Sequence, residues 1–218
     1  MINILIIYTG GTIGMIADPK TGVLMPFNFE QITDNVPELK RLKYKLTVHS
    51  FDPLIDSSNM TPAIWIELAK RIERDYHQFD GFVVLHGSDT MAYTASALSF
   101  MLEGLDKPIV FTGSQLPING IRTDAKENLI TALEIAAAKQ KGKAAVPEVC
   151  VYFDYKLFRG NRSIKYNSAQ FEAFRSPNYP ILAEAGVYLK FNKNYILKPE
   201  GIPLQVHTQL DSAIGVLK

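Results

Sequence analysis

An α/β fold centred on a parallel sheet, a three-layer sandwich with helices on both faces, is what this 218-residue sequence predicts. Three observations predict it. Five short runs, at 2–8, 46–51, 81–85, 108–111 and 149–153, are apolar almost throughout rather than alternating, as strands buried on both faces are. The stretches between several of them place apolar residues at helical spacing. Strand–helix alternation of this kind closes into a parallel sheet, because parallel neighbours need a crossover to connect them.

The first run leads into Thr9-Gly10-Gly11-Thr12-Ile13-Gly14. Glycines behind a buried strand permit unusual backbone angles and let another group approach closely, so a hydroxyl just past them is reachable. The spacing fits neither the dinucleotide fingerprint nor the phosphate loop with its lysine after the last glycine. Thr12 is left as a candidate nucleophile on a loop. Residues 16–30, with Asp18-Pro19, Gly22 and Pro26, read as a long surface loop near Thr12 and as a lid expected to order on ligand binding.

Residues 62–76 place Ile64, Leu68 and Ile72 four apart, with Thr61 as N-cap and Pro62 at the first helical position. Residues 90–105 stack Ala95, Leu98, Met101, Leu102 and Leu105 on one side of a second helix. Asp124-Ala125-Lys126-Glu127 has the form of a capping box opening a third over 128–139. Residues 175–180 read as a turn before an edge strand at 186–191. Residues 192–206, with Pro199, Gly201 and Pro203, read as a linker. The apolar run at 212–217 reads as the first strand of a second unit.

Composition narrows the function classes. A formal net charge of +1 supplies no global field for nucleic acid or an anionic membrane. The lone Cys150, inside an apolar run, excludes a disulfide framework and reads as a buried thiol in a reducing compartment. No apolar run is long enough to span a bilayer, and no basic residue precedes the N-terminal apolar run, so a cytoplasmic setting is expected. No His/Cys grouping has metal-ligand spacing, and the G-x-S-x-G elbow of α/β-hydrolases is missing.

In open α/β sheets ligands bind beyond the carboxyl ends of the strands. The residues there are Thr9–Thr12, Asp56-Ser57-Ser58-Asn59, His86-Gly87-Ser88-Asp89-Thr90, Thr112-Gly113-Ser114-Gln115 and, after Asp154, the run 159–165 ending in Lys165. Small hydroxyl residues paired with glycine suit a small polar ligand, and the base-stacking aromatics of a nucleic-acid groove are missing. Each also has a plainer reading. Ser and Thr are ordinary turn and N-cap residues, Ser88-Asp89-Thr90 can cap the following helix, His86 can be hydrogen-bonded structure and Lys165 a solvated surface lysine. Taken alone, the pattern reaches an α/β enzyme for a small polar substrate.

Together, TGGTIGM, DSSNMTP, DGFVVLHGSDTMAYTASALSFML, PIVFTGSQLP and LFRGNRSIK resemble the L-asparaginase family, in particular its cytoplasmic bacterial type I branch. The resemblance runs in family order from residue 5 to about 190. It implies hydrolysis of asparagine to aspartate and ammonia without metal or cofactor. It implies Thr12 as nucleophile, with Ser88, Asp89 and Lys165 as a second catalytic cluster in which Lys165 accepts a proton and Ser88 relays it. Asp56, Ser57, Ser58, Ser88 and Asp89 become substrate contacts, and backbone around Ser114 a source of oxyanion donors. Two departures stand out. Family members usually carry threonine where this chain has Ser88, and many carry a tyrosine in the loop after the nucleophile, where residues 22–27 here have none.

The resemblance also implies an N-terminal α/β domain over 1–191, a linker over 192–211 and the start of a second domain at 212–218. Active sites are then expected where two subunits of a homo-oligomer meet, and the 218-residue form is expected to have little activity. Two other functions compete: the ammonia-producing subunit of a tRNA-dependent amidotransferase, and a non-catalytic amino-acid-binding domain.

Overall fold

The computed structural model describes the chain except for residues 19, 27–31, 33–35, 212 and 214–218. Strands β1 (Ile2–Tyr8), β2 (Tyr44–Ser50), β3 (Gly81–Leu85), β4 (Ile109–Thr112), β5 (Val149–Phe153), β6 (Lys156–Arg159), β7 (Ala183–Ala185) and β8 (Leu189–Phe191) form one sheet. Their spatial order is β2, β1, β3, β4, β5, β6, β7, β8. The first five are mutually parallel, and β6, β7 and β8 add an antiparallel edge. Strand order reverses between β1 and β3, which opens a crevice at their carboxyl ends.

The apolar runs divide by parity. Ile4, Ile6, Val83, Leu85, Val110 and Tyr152 pack on the face covered by α3 (Ala125–Ala137). Leu5, Ile7, Phe82, Val84, Phe111 and Val151 pack on the other, against α1 (Pro62–Asp75) and α2 (Met91–Met101). Full burial of each such aliphatic or aromatic side chain contributes about 1.5–3 kcal/mol. Both faces of the inner strands are therefore dry, and this is the expected three-layer arrangement.

The details differ from the sequence reading in several places. β2 is an edge strand whose outward residues Lys45 and Thr47 are exposed, so it is not buried on both faces. Residues 15–17 and 24–26 pair as an antiparallel ribbon, where a structureless loop was expected. Asp18 Oδ1 closes its turn by accepting from the amides of Lys20 and Thr21. Residues 19 and 27–30 of that expected lid, and the strand expected at 212–217 apart from residue 213, lie outside the described residues. α2 ends at Met101, after which Leu102–Glu103 pairs antiparallel with Gln205–Val206. The far end of the expected linker is thus bonded back to the domain. The capping box does not form: Asp124 sits at the N-cap of α3, but its carboxylate bonds elsewhere, and Glu127 accepts from Tyr152 and Thr131.

One buried ion pair ties the antiparallel edge to the parallel core. Glu148, just before β5, meets Arg159, the last residue of β6, at 2.6 Å, with side chains 4% and 12% exposed. The second carboxylate oxygen accepts from the amide of Leu197, and Arg159 also donates to the carbonyl of Tyr195. Desolvation makes such a pair costly to break from one side only. Replacing Glu148 by alanine leaves Arg159 and the Leu197 amide unpaired. We expect Glu148→Ala to lose about 3–5 kcal/mol of unfolding free energy in a urea titration, and an unchanged midpoint would refute this anchoring role.

Candidate functional site

The loops leaving β1, β2, β3 and β4 meet backbone to backbone. Gly10 and Gly11 have φ of 139° and 95°, angles that L side chains rarely adopt. A β-carbon on Gly10 would overlap the carbonyl of Ile55, and one on Gly11 would lie 2.6 Å from the amide nitrogen of Gly87. Gly87 in turn has no room for a side chain against Ser57. The amide and hydroxyl of Thr9 donate to the carbonyl of Leu85, and the amide of Ile55 donates to that of Thr9. Thr12 is half-buried at the head of a single 3₁₀ turn, Thr12–Gly14, directly after this contact. From beneath, the Tyr8 hydroxyl donates to the carbonyl of Gly11 at 3.4 Å.

His86 underlies the β3 loop. It is fully buried, and its Nδ1 meets the carbonyl of Gly87 at 2.7 Å while Nε2 meets the hydroxyl of Thr94 at 2.9 Å. The carbonyl of Gly87 can only accept, so the ring donates through Nδ1 and Nε2 accepts from Thr94, whose oxygen in turn accepts from the Trp65 indole. Burial pushes the imidazole pKa down to about 4, keeping it neutral. His86 therefore braces Gly87 rather than exchanging protons with a ligand.

Beyond Gly87, Ser88, Asp89 and Lys165 converge. Lys165 Nζ donates to Ser88 Oγ at 2.8 Å and to Asp89 Oδ1 at 2.7 Å. The lysine side chain is 14% exposed, whereas that of Asp89 is 68% exposed. Lys165 arrives on a short ribbon in which Ile164–Lys165 pairs with Phe174–Arg175. Thr90 closes the cluster onto the β2 loop by donating to the carbonyl of Ser57 at 2.7 Å.

The remaining sequence-derived candidates lie around this centre. Asp56 is exposed and accepts from both the amide and hydroxyl of Ser58, which lowers its carboxyl pKa. Ser57 is buried against Gly87. Ser114 is buried, and its hydroxyl turns to the carbonyl of Leu116 rather than toward Lys165. The amides of Gln115 and Leu116 are taken by the carboxylate of Asp124. Gln115, named in the sequence only as one of the polar residues at a strand end, has a larger part. Its carboxamide oxygen accepts from Ser88 at 3.4 Å, and its nitrogen donates to the carbonyls of Ser168 and Gln170.

Charge in this centre comes from side chains. Among the described residues no group of three or more His, Cys, Asp or Glu is placed to hold a metal ion, and no helix is long and apolar enough to cross a membrane. The arrangement offers a hydroxyl on a tight turn, a second hydroxyl one loop away and an amine bonded to the latter. Such a set suits nucleophilic displacement at a carbonyl or carboxamide carbon.

The family model described as Asparaginase, N-terminal, matches residues 3–197. L-asparaginase 1 of Escherichia coli K12 is 43% identical over 217 residues, covering 99% of this chain and 62% of that protein. The 60 kDa lysophospholipase of Mus musculus is 42% identical over 242 aligned positions, covering 99% of this chain and 41% of that one. The crystal structure of L-asparaginase I from Vibrio cholerae superposes with a TM-score of 0.82 at 45% identity, covering 94% of this chain and 60% of that one. The chain thus spans about two-fifths to three-fifths of the length of these relatives.

The His86 arrangement has a direct test. Its imidazole should keep its neutral NMR signature from pH 8 down to about pH 5, because the folded ring titrates only near pH 4. The sign for stability follows: unfolded chains bind a proton near pH 6.5 that the folded ring refuses, so stability falls as pH drops from about 6.5 toward 4. Titration of the folded ring near pH 6.5 would overturn the bracing role.

Proposed function

The chain belongs to the asparaginase family, and on that footing we propose that it carries the catalytic centre of an L-asparagine amidohydrolase working through an acyl-threonine intermediate. The observation that carries the reading is the convergence of Lys165 on Ser88 and Asp89, 77 and 76 positions away, beside the turn that presents Thr12. In this reading Thr12 Oγ attacks the side-chain amide carbon. Its proton passes by way of Ser88 toward Lys165, the amine hydrogen-bonded to both Ser88 and Asp89. Protonation of the leaving nitrogen releases ammonia. Water then attacks the ester and returns the Thr12 hydroxyl with aspartate as product.

The same reading gives Asp89 a second duty. Its mostly exposed carboxylate offers Lys165 one oxygen and leaves the other for the substrate α-amino group. Asp56, Ser57 and Ser58 line the far side, where the substrate's α-substituents would lie. A cytoplasmic setting and a homo-oligomer belong to this proposal as well; the buried, single Cys150 is compatible with a reducing compartment.

Ammonia release, measured with asparagine, glutamine and no substrate on the protein expressed from its complete coding sequence, tests the assignment. We expect asparagine-dependent release without a partner subunit. Release only with a tRNA-dependent partner, or binding without release, would favour the competing functions. Thr12→Ala should fold normally and lose turnover, since a half-buried loop hydroxyl contributes little packing; normal ammonia release by the folded variant would overturn the nucleophile.

The second cluster is tested separately. Lys165→Met should lower kcat by about 10²-fold or more, the scale of general-base catalysis. Ser88→Thr keeps the hydroxyl and should change the rate less than Ser88→Ala does. Equal activity of alanine and serine at this position would rule out the relay.

A further inference from the structure

The bonds that place Ser88 and Lys165 lead away from the centre to a partly buried acid on α3. Asp124 accepts from the Gln115 amide at 2.9 Å and from the Leu116 amide at 3.1 Å. Four residues along the helix, Asn128 is fully buried and donates both to Asp124 and to the carbonyl of Gly113 at 3.0 Å. The loop after β4 is thus held at three points by the first turn of a helix whose apolar side chains are core. A carboxylate that accepts several backbone amides is among the stronger hydrogen-bonding anchors available to a loop.

That loop presents Gln115, whose carboxamide reaches both parts of the Ser88–Lys165 pair. Its oxygen accepts from Ser88 Oγ. Its nitrogen donates to Ser168 at 3.3 Å and Gln170 at 2.9 Å, carbonyls in the turn of the ribbon that delivers Lys165. Ser88, lacking a second substituent on Cβ, has three accessible rotamers and depends on its hydrogen bonds to choose among them. Lys165 constrains it from one side and Gln115 from the other. We propose that Gln115 and Asp124 are positioning residues of the proposed hydrolytic centre: Asp124 fixes the loop, and Gln115 fixes Ser88 relative to the Lys165 ribbon.

This inference rests on the amidohydrolase reading for its kinetic test, and the experiment separates the two. In the protein expressed from its complete coding sequence, Gln115→Ala should lower kcat for asparagine about tenfold while KM stays within about twofold, the pattern of a group that acts only on the chemical step. Asp124→Asn should lower kcat similarly and add little in the Gln115→Ala background, because both act through one route. The loss from Gln115→Ala should shrink in a Ser88→Thr background, where the added methyl limits the hydroxyl's rotamers. An unchanged kcat in Gln115→Ala, full additivity with Asp124→Asn, or an undiminished loss in the Ser88→Thr background would overturn the proposal. Gln115 is half-exposed, so its variant folds even where Asp124→Asn does not. If the unsubstituted protein releases no ammonia, the functional reading fails on its own. Hydrogen exchange then decides the positioning: faster uptake over residues 166–171 in Gln115→Ala supports it, and unchanged uptake overturns it.

Discussion

Between Gly11 and Gly87 two loops come so close that a β-carbon on the first would lie 2.6 Å from the amide nitrogen of the second. Much of the site hangs from this contact. Thr12 follows Gly11 and Ser88 follows Gly87, so bringing the glycines together sets the two hydroxyl residues side by side on adjacent loops. Gly10 against Ile55 and Gly87 against Ser57 extend the same packing to the β2 loop. A side chain at these positions would push the loops apart by ångströms, and catalysis tolerates little misplacement of reacting groups. Parallel strands deliver their carboxyl ends to one edge, but only the glycines let those ends touch.

Loop ends that touch backbone to backbone have little apolar surface of their own, and polar anchors reaching out from the core hold them. His86 takes the carbonyl of Gly87, Thr94 and Trp65 orient His86, and Asp124 with Asn128 takes the loop after β4. Each anchor stands on a regular element: α2 and α3 supply Thr94 and Asn128, β3 leads directly into His86, and Asp124 is the residue that opens α3. Desolvation suits them to this work. Burial lowers the pKa of His86 and keeps it uncharged, while burial raises that of Asp124 against the pull of the amides it accepts. These buried polar anchors thus lie one layer behind the residues assigned to chemistry.

The parallel half of the fold was legible because its inner strands are continuous apolar runs bounded by glycine or polar clusters, and because α1 carries both Thr61 and Pro62 at its start. Of the antiparallel edge only the outermost strand was, since β8 falls within the edge strand expected at 186–191. The hairpin between β5 and β6 turns through Asp154 and Tyr155 at φ of 47° and 64°, a two-residue turn normally announced by glycine. Lys156–Arg159 is a strand flanked by two cations, with no apolar run to mark it. The centre divides in the same way. Thr12, Ser88, Asp89 and Lys165 carry motif signals, and the structure brings the last three together. Gln115 lies in the PIVFTGSQLP stretch but drew no role, since a glutamine in a polar loop has no pattern to tell what it bonds, and Asp124 matched a local capping pattern that a longer-range bond to Gln115 displaced.

The antiparallel edge has a function of its own in this arrangement, because it returns the chain to the place from which Lys165 can be delivered. β6 runs back toward the amino end of the sheet, ending beside Glu148, so the residues after it start at the far end of α2. Gly160 there packs against Ala95 and Ser99, with no room for a larger residue. Five further residues carry the chain to Lys165 through the 3₁₀ turn Gly160–Arg162 and then extended backbone, a reach of roughly 13 Å. From the level of Ala95–Ser99 to that of Ser88–Asp89 is about 12 Å at 1.5 Å per helical residue. The two lengths match closely enough that this turn and short strand, laid along α2, bring the amine level with the residues that precede the helix. α2 thereby acts as a ruler: its leading end fixes Ser88 and Asp89, its body seats Gly160, and the spacing between Gly160 and Lys165 does the rest. A hydrogen-bonded pair separated by 77 positions, the one proposed to carry the second half of the chemistry, is thus registered by one helix.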